Sequence, residues 1–168
     1  MRVLVVRHAI AEQQEEFART GKDDSRRPLT DDGRRKMRRG AAGLRAVAPA
    51  IDLIATSPLL RAVQTAEILA AVYNGRNMVT VRELSPDSEF PPFLRWLRTQ
   101  DAGSTIGIVG HEPHLSGLTS WLLTGRKPSF ISLKKGAACL LEFREQPRAG
   151  AATLVWALTP SQLRQLGG

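Results

Sequence analysis

Short apolar runs alternate along the chain with longer segments whose apolar residues recur at helical spacing. Runs at residues 2–6, 51–55, 79–81 and 105–109 are rich in β-branched or aliphatic residues, and polar or turn-forming residues bound them. Runs of this length predict buried strands, because nothing in them continues a helical stripe. Strands that alternate with helices predict a mainly parallel sheet with helices on both faces, which is a three-layer α/β/α fold.

Start and stop signals place the intervening helices. Thr30 is the expected N-cap of a helix that runs to Pro49, with apolar residues recurring along one face. Pro58 lies at a favourable early position of a second helix, and Pro113 is expected just inside the start of another. A short helix is predicted at residues 93–97. The helices therefore follow the strands one by one.

The remaining segments have different patterns. Residues 11–27 are polar and charged and contain a glycine, which predicts a surface excursion with one helical turn. Residues 137–143 and 153–158 are further strand candidates, separated by a charged turn that contains proline and glycine. This spacing predicts an antiparallel hairpin added at the edge of the sheet.

Composition narrows the class of protein. The chain has 168 residues, of which 42% are hydrophobic and 24% charged, so we expect one globular domain over residues 1–168. The net charge of +8 favours anionic partners such as phosphate groups, nucleic acid or acidic proteins. Cys139 is the single cysteine, which excludes an intramolecular disulfide, and no signal or membrane-spanning segment is evident. A cytoplasmic location without membrane contact is the resulting expectation.

Two of the predicted strands end at histidines. His8 follows the first strand and His111 follows the strand at 105–109, and ligands of open α/β sheets bind beyond the carboxyl ends of the strands. Arg7 precedes His8, and Arg61 lies near the start of the second helix. Such a cationic cluster needs an anionic occupant, for which a phosphoryl group is the natural choice because a guanidinium donates two parallel hydrogen bonds to its oxygens. A neutral imidazole adds a lone pair that can attack phosphorus.

These residues carry a resemblance to a known family. The chain resembles the histidine phosphatase superfamily, in particular its short SixA-like phosphohistidine phosphatase branch. The segments that match, in the order of the family, are Val6-Arg7-His8-Ala9, Arg27-Pro28-Leu29-Thr30 with Gly33, Ser57-Pro58-Leu59-Leu60-Arg61-Ala62-Val63-Gln64-Thr65 and Val109-Gly110-His111-Glu112-Pro113. Ala9 departs from the glycine that much of the superfamily has, although alanine is familiar in the short branch.

The resemblance implies roles for particular residues. It implies a phosphoglycerate mutase-like fold, with His8 as the nucleophile that becomes phosphorylated, Arg7 and Arg61 as phosphate-binding residues, and His111 as a stabiliser of the transferring group. It implies neither a metal nor another cofactor. Glu83 occupies the position after the third strand where related mutases and phosphoesterases have a general acid, so it is a candidate for that role. The expected substrate is a phosphorylated protein, such as a histidine phosphotransfer domain.

Alternatives remain at this stage. A phosphatase for small phosphoesters, partly covered by residues 11–27, is one, and a binding module that holds a phosphoprotein without hydrolysis is another. The basic residues at 34–39 suggest nucleic-acid binding, but acidic residues precede them and aromatic residues make up only 5% of the chain, so no nucleic acid is expected. His111 and His114 are too few for a metal site, and His114 is expected near the pocket rim. The sequence does not indicate an oligomeric state.

Overall fold

The apolar runs of the sequence form a six-stranded mixed sheet in the computed structural model, which describes all 168 residues. The strands are β1 (Arg2–Arg7), β2 (Leu53–Thr56), β3 (Met78–Thr80), β4 (Thr105–Gly110), β5 (Ala138–Glu142) and β6 (Thr153–Leu158). Their order is β3-β2-β4-β1-β5-β6, with β1 to β4 mutually parallel and β5 and β6 antiparallel to their neighbours. The predicted parallel sheet and the terminal antiparallel hairpin are both confirmed.

Helices cover both faces of this sheet. They are α1 (Gln14–Ala18), α2 (Asp31–Val47), α3 (Leu60–Val72), α4 (Phe90–Leu97), α5 (His114–Thr124) and α6 (Pro160–Leu166). Alternate residues of β1 point to opposite faces, so that Leu4 and Val6 join a core with α2, α3 and α6, whereas Val3 and Val5 join a core with α4 and α5. Two cores on either side of one sheet confirm the three-layer α/β/α fold class. None of the helices has the length and apolar character needed to cross a membrane.

Helix α2 forms as the sequence predicts. The Thr30 hydroxyl accepts a hydrogen bond of 2.9 Å from the Gly33 amide, which satisfies one of the free donors at the helix start. Met37, Ala41 and Leu44 are buried along one face, so the basic residues of the helix are left on its other faces. The helix therefore packs through its apolar stripe, and the cap determines where it begins.

Helix α6 was not predicted from the sequence. It has only seven residues, and Leu163 is its single buried residue, so it has no apolar periodicity. Its sequence signal is a capping box, in which Thr159 and Gln162 exchange hydrogen bonds, with a proline at the first helical position. The helix lies against α2 at Gly43, where a Cβ atom would collide with the Leu163 carbonyl oxygen.

Several predicted boundaries shift, including that of the helix predicted at 93–97, which begins at Phe90. Two of the shifts concern β2 and α5, which help to position the site. The strand predicted at 51–55 is observed at Leu53–Thr56, because Ile51 is buried in the core without joining the ladder to β4. Pro113 precedes its helix instead of lying inside it, since its ψ of 0° is not helical and α5 begins at His114. Both differences leave the carboxyl ends of β1, β2 and β4 side by side, which positions the candidate site.

Candidate active site

The two strand-end histidines meet at the carboxyl edge of the sheet. Arg7 is paired in register with Gly110, and the His8 amide donates a hydrogen bond of 3.0 Å to the Gly110 carbonyl. This register places the rings of His8 and His111 with centroids 5.0 Å apart and planes tilted by 52°. The residues are only 5% and 2% exposed, respectively. The structure therefore brings together the two histidines that the sequence placed at neighbouring strand ends.

The hydrogen bond of His8 defines its tautomer. Nδ1 lies 2.7 Å from the Ala9 carbonyl oxygen, which can only accept, so Nδ1 carries the hydrogen. Burial, to which Arg61 and Arg7 add, lowers the pKa of His8 to about 3 and outweighs the hydrogen bond to Ala9, which raises it. The ring is therefore neutral at physiological pH, and Nε2 holds a free lone pair.

His111 is held by a neighbouring strand end. Its Nε2 shares a hydrogen bond of 2.8 Å with the Ser57 hydroxyl, and Ser57 is fully buried directly after β2. The Nδ1 atom of His111 is buried without a protein partner. Burial, followed by the charges of His8 and Arg61, lowers the pKa of His111 to about 2. Nδ1 of His111 is therefore a polar atom without a hydrogen-bond partner, buried inside a cationic site.

Arg7 and Arg61 lie at the same site, and each has a donor without a protein partner. Arg7 Nη1 donates to the Leu133 carbonyl at 2.6 Å, and Arg61 Nη1 donates to the Asp24 carbonyl at 3.0 Å. The Nε atoms of both guanidinium groups are buried without partners. Burial lowers the pKa of each arginine, but guanidinium groups remain charged in proteins. Both arginines predicted from the sequence therefore lie at the site with donor capacity to spare.

Further charged residues at the site were not singled out by sequence reasoning. Arg27 is buried and donates to an Asp24 carboxylate oxygen at 2.7 Å, while the other oxygen of that carboxylate lies 3.1 Å from Arg61. Lys135 and Glu112 also line the site, and burial and the nearby arginines lower the pKa of Lys135. Arg27 opens one of the four segments that carry the family resemblance, which was the available signal. Nothing in the sequence distinguished Lys135 from other surface lysines.

Polar residues of the segment that follows β2 tie the site together. The Thr65 hydroxyl accepts a hydrogen bond of 3.0 Å from the Ala9 amide and donates one of 2.7 Å to the Arg61 carbonyl. The Gln64 side chain accepts from the Leu29 amide at 2.8 Å. This one segment therefore anchors the loop after His8 and the loop before α2, in addition to supplying Arg61.

The two histidines and the cationic side chains of the site line an open cleft of about 750 Å³. The polar segment at residues 11–27 forms one wall of it, through Gln13, Gln14, Glu15, Asp23, Asp24, Ser25 and Arg27. The segment contains α1 and a single turn of 3₁₀ helix at Asp24–Arg26. The surface excursion predicted from the sequence is therefore an ordered part of the site.

The structure does not bring every candidate residue to the cleft. Glu83 lies in a short turn at Arg82–Leu84 and is not among the lining residues, whereas the following residues from Ser85 to Asp87 are. His114 is buried against Phe90, with ring centroids 5.4 Å apart, so its expected place at the rim was wrong. The reason is that His114 opens α5 and faces the core rather than the cleft. No group of three or more potential metal-ligating side chains occurs in the structure.

A family model, related sequences and solved structures all resemble this chain. The family model described as "histidine phosphatase superfamily (branch 1)" matches residues 3–85. An uncharacterised protein of Picosynechococcus is 35% identical over 148 residues, which is 82% of this chain and 87% of that protein. The phosphohistidine phosphatase SixA of Escherichia coli is 27% identical over 167 residues, covering 98% and 97% of the two chains. A solved structure of the protein histidine phosphatase SixA complexed with tungstate superposes with a TM-score of 0.82 at 26% identity, covering 97% of this chain and 99% of that one.

Proposed function

The chain belongs to the histidine phosphatase superfamily, and from that premise we propose that it removes phosphoryl groups from histidine residues of a phosphorylated protein. The chain has the phosphoglycerate mutase-like fold of the superfamily, and its similarity to SixA supports a phosphatase activity. Within the proposal, residues 1–168 form one histidine phosphatase domain. The observation that carries it is the hydrogen bond from His8 Nδ1 to the Ala9 carbonyl, which leaves Nε2 unprotonated in a cleft that Arg7 and Arg61 also line.

The first step of the proposed reaction transfers the phosphoryl group to the enzyme. His8 Nε2 attacks phosphorus, and the bond between phosphorus and the substrate imidazole breaks. The substrate imidazole, which solvent has protonated on its other nitrogen, takes the electron pair of the broken bond and leaves as a neutral ring, while the His8 Nδ1–H remains on the Ala9 carbonyl. Arg7 and Arg61 neutralise the charge on the phosphoryl oxygens, and His111 donates a hydrogen bond to one of them from Nδ1, which has no protein partner.

The second step regenerates the free enzyme. A water molecule attacks the phosphorus of phosphorylated His8, and the bond from phosphorus to Nε2 breaks. Nε2 takes the electron pair, so the ring is neutral again, and inorganic phosphate leaves with both protons of the water. The Ser57 hydroxyl keeps the His111 ring oriented throughout, because its hydrogen bond occupies Nε2. Since arginines supply the positive charge, the proposed route places no requirement on a metal.

The nature of the leaving group distinguishes phosphohistidine from a phosphoester. An alkoxide leaving group needs a proton in the transition state, whereas an imidazole departs readily once protonated. Glu83, the candidate general acid, is absent from the cleft. The Asp24 carboxylate is bound by Arg27 and by Arg61, which lowers its pKa and leaves it unable to donate a proton at neutral pH. SixA of Escherichia coli is named as a phosphohistidine phosphatase, and tungstate in the related structure is a tetrahedral oxyanion like phosphate.

The test compares two phosphoryl donors and two proteins, the wild type and one variant. Wild type and His8→Ala are incubated with a histidine-phosphorylated carrier protein and, separately, with an alkyl phosphate such as phosphoserine, whose alkoxide leaving group needs a proton. We expect wild type to release phosphate from the carrier protein much faster than from the ester, and we expect His8→Ala to release neither while unfolding as cooperatively as wild type. Fast hydrolysis of the ester with no release from the carrier protein would contradict the proposal and favour small phosphoesters. Tight binding of the carrier protein without turnover would instead favour a binding module.

A further inference from the structure

The loop between α5 and β5 borders the cleft and has an unusual composition. Residues 126–135, here called the basic loop, contain four cationic side chains and no carboxylate. At its carboxyl end the Leu133 carbonyl accepts the 2.6 Å hydrogen bond from Arg7, and Lys135 lines the cleft. The next residue, Gly136, donates to the carbonyl oxygens of Arg7 and His8 at 3.1 and 3.2 Å. The loop is therefore anchored on the candidate catalytic residues and extends outward from them.

Phe130 is the exposed centre of the basic loop. Its residue exposure is 63%, the highest among the exposed large hydrophobic residues, and it belongs to neither core. A phenylalanine left in water forgoes the favourable burial of its ring. Phe130 lies three residues before Leu133, whose carbonyl is bound to Arg7, so a partner that covers the loop can bury this ring.

Hydrogen bonds fix the backbone on both sides of Phe130. The Phe130 amide donates to the Ser120 hydroxyl of α5 at 3.3 Å, and the Ser129 hydroxyl donates to the Ile131 carbonyl at 2.8 Å. The Ser120 and Ser129 hydroxyls also share a hydrogen bond of 3.3 Å. The aromatic ring is thus held outward by α5, which reduces the entropy lost when a partner covers it.

Positively charged residues flank Phe130 along the loop. Arg126 and Lys134 are exposed and have no carboxylate partner, while Lys127 has only an exposed contact of 3.4 Å with Glu89. The other exposed large hydrophobic residues lie elsewhere, on β3, on β6 and in α6. The basic loop therefore combines an apolar anchor with free positive charge on the border of the cleft, as a docking surface for an acidic partner requires.

We propose that the basic loop, with Phe130 as its anchor, is the docking surface for the protein that carries the phosphohistidine. The partner is a protein with an acidic rim and a small apolar patch beside its phosphorylated histidine. A protein is favoured over nucleic acid because a single aromatic residue cannot stack a series of bases. In addition, the molecule that covers the loop must be the one whose phosphoryl group enters the cleft. This inference rests on the proposed function. It assigns the contacts that a protein substrate makes with the enzyme and that a small-molecule substrate does not make.

The test uses two phosphoryl donors, a small molecule and a protein, and in both of them the phosphorus is bonded to nitrogen. Phosphoramidate needs only the cleft, which Phe130 does not line, whereas a histidine-phosphorylated carrier protein also reaches the outer part of the loop. We expect Phe130→Ala to lower kcat/KM for the carrier protein by about tenfold or more, mainly through KM, and to leave turnover of phosphoramidate within about twofold. Leu154→Ala is the matched control, because Leu154 is an apolar residue 40% exposed on β6, and it should change neither donor.

Changes in ionic strength and variants that remove charge test the electrostatic contribution to docking. Raising the ionic strength should raise KM for the carrier protein in wild type, and less so in the double variant Arg126→Gln, Lys134→Gln, whereas phosphoramidate shows no difference between the two proteins. Circular dichroism and thermal unfolding check that each variant is folded.

Three results would overturn the inference. Equal losses on both donors in Phe130→Ala would mean that the loop acts by holding Arg7, and no loss on either donor would mean that Phe130 contacts nothing. Binding of a single-stranded oligonucleotide that depends on Phe130, without an effect on the carrier protein, would assign the surface to nucleic acid. A wild type that hydrolyses phosphoramidate but no phosphohistidine protein is a different result, because it refutes the proposed function itself.

Discussion

Acidification from pH 7 to pH 5 should destabilise this protein strongly because its two site histidines are buried in the neutral form. Burial, with nearby positive charge, lowers the pKa of His8 to about 3 and that of His111 to about 2. In the unfolded chain both imidazoles titrate near about 6.5. Below that pH the unfolded state binds protons that the folded state does not bind, so the free energy of unfolding falls as the pH falls.

The magnitude follows from these pKa values. Between pH 7 and pH 5 the free energy of protonating one unfolded imidazole with a pKa of about 6.5 amounts to about 2 kcal/mol, so the two site histidines together contribute about 4 kcal/mol. The pKa of His114 is also lowered by burial, which acts in the same direction. Carboxyl groups of the unfolded chain titrate mainly below about pH 5, so this window isolates the histidines. A loss of 4 kcal/mol is a large fraction of the typical stability of about 5–15 kcal/mol.

Urea unfolding at pH 7, 6 and 5, in buffers free of phosphate, measures this effect. We expect His8→Asn and His111→Asn each to flatten the pH dependence by about 2 kcal/mol over the window, since each removes one titrating ring. Tungstate should reduce the loss in wild type, because an anion between the cationic groups favours the protonated histidines. A free energy of unfolding at pH 5 within about 1 kcal/mol of that at pH 7 would refute the reasoning.

Three further predictions concern the reaction. Ser57→Ala removes the 2.8 Å hydrogen bond to His111 Nε2, so we expect kcat for the phosphohistidine donor to fall about tenfold with a cooperative fold retained; an unchanged kcat would show that this bond does not orient the ring. Glu83→Gln should change turnover of phosphohistidine by less than about twofold, because Glu83 lies outside the cleft, and a loss comparable to that of His8→Ala would contradict this placement. Dialysis against EDTA should leave the rate unchanged, since arginines supply the positive charge, and a loss that added Mg²⁺ or Zn²⁺ restores would refute metal independence.

Much of the site followed from local sequence rules. A strand ends where an apolar run meets a polar residue, and carboxyl ends of neighbouring parallel strands share one edge of the sheet, so His8 and His111 could be placed together without a structure. The Thr30 cap was equally local. The tautomer of His8 was not accessible, because it depends on the distance from Nδ1 to the Ala9 carbonyl oxygen.

Residues contributed by loops escaped prediction for a different reason. Lys135 reaches the cleft only because the hairpin strand β5 pairs with β1, a long-range contact that no local pattern encodes. Asp24 is one of several acids in a polar segment, and its role as a partner of Arg27 and Arg61 appears only when that segment folds over the cleft. Helix α6 is too short to show periodicity, and its capping box was the one signal available.

The central claim is that His8 Nε2 carries the phosphoryl group during turnover. Wild type is mixed with a ³²P-labelled histidine-phosphorylated protein and quenched in alkali within milliseconds, and the labelled enzyme is mapped by peptide mass spectrometry, with ³¹P NMR of an unlabelled sample to identify the phosphorylated nitrogen. The account predicts an alkali-stable label on His8, with phosphorus on Nε2, that is absent in His8→Ala and decays as inorganic phosphate appears. A label on His111, phosphorus on Nδ1 of His8, or rapid turnover by His8→Ala would contradict it.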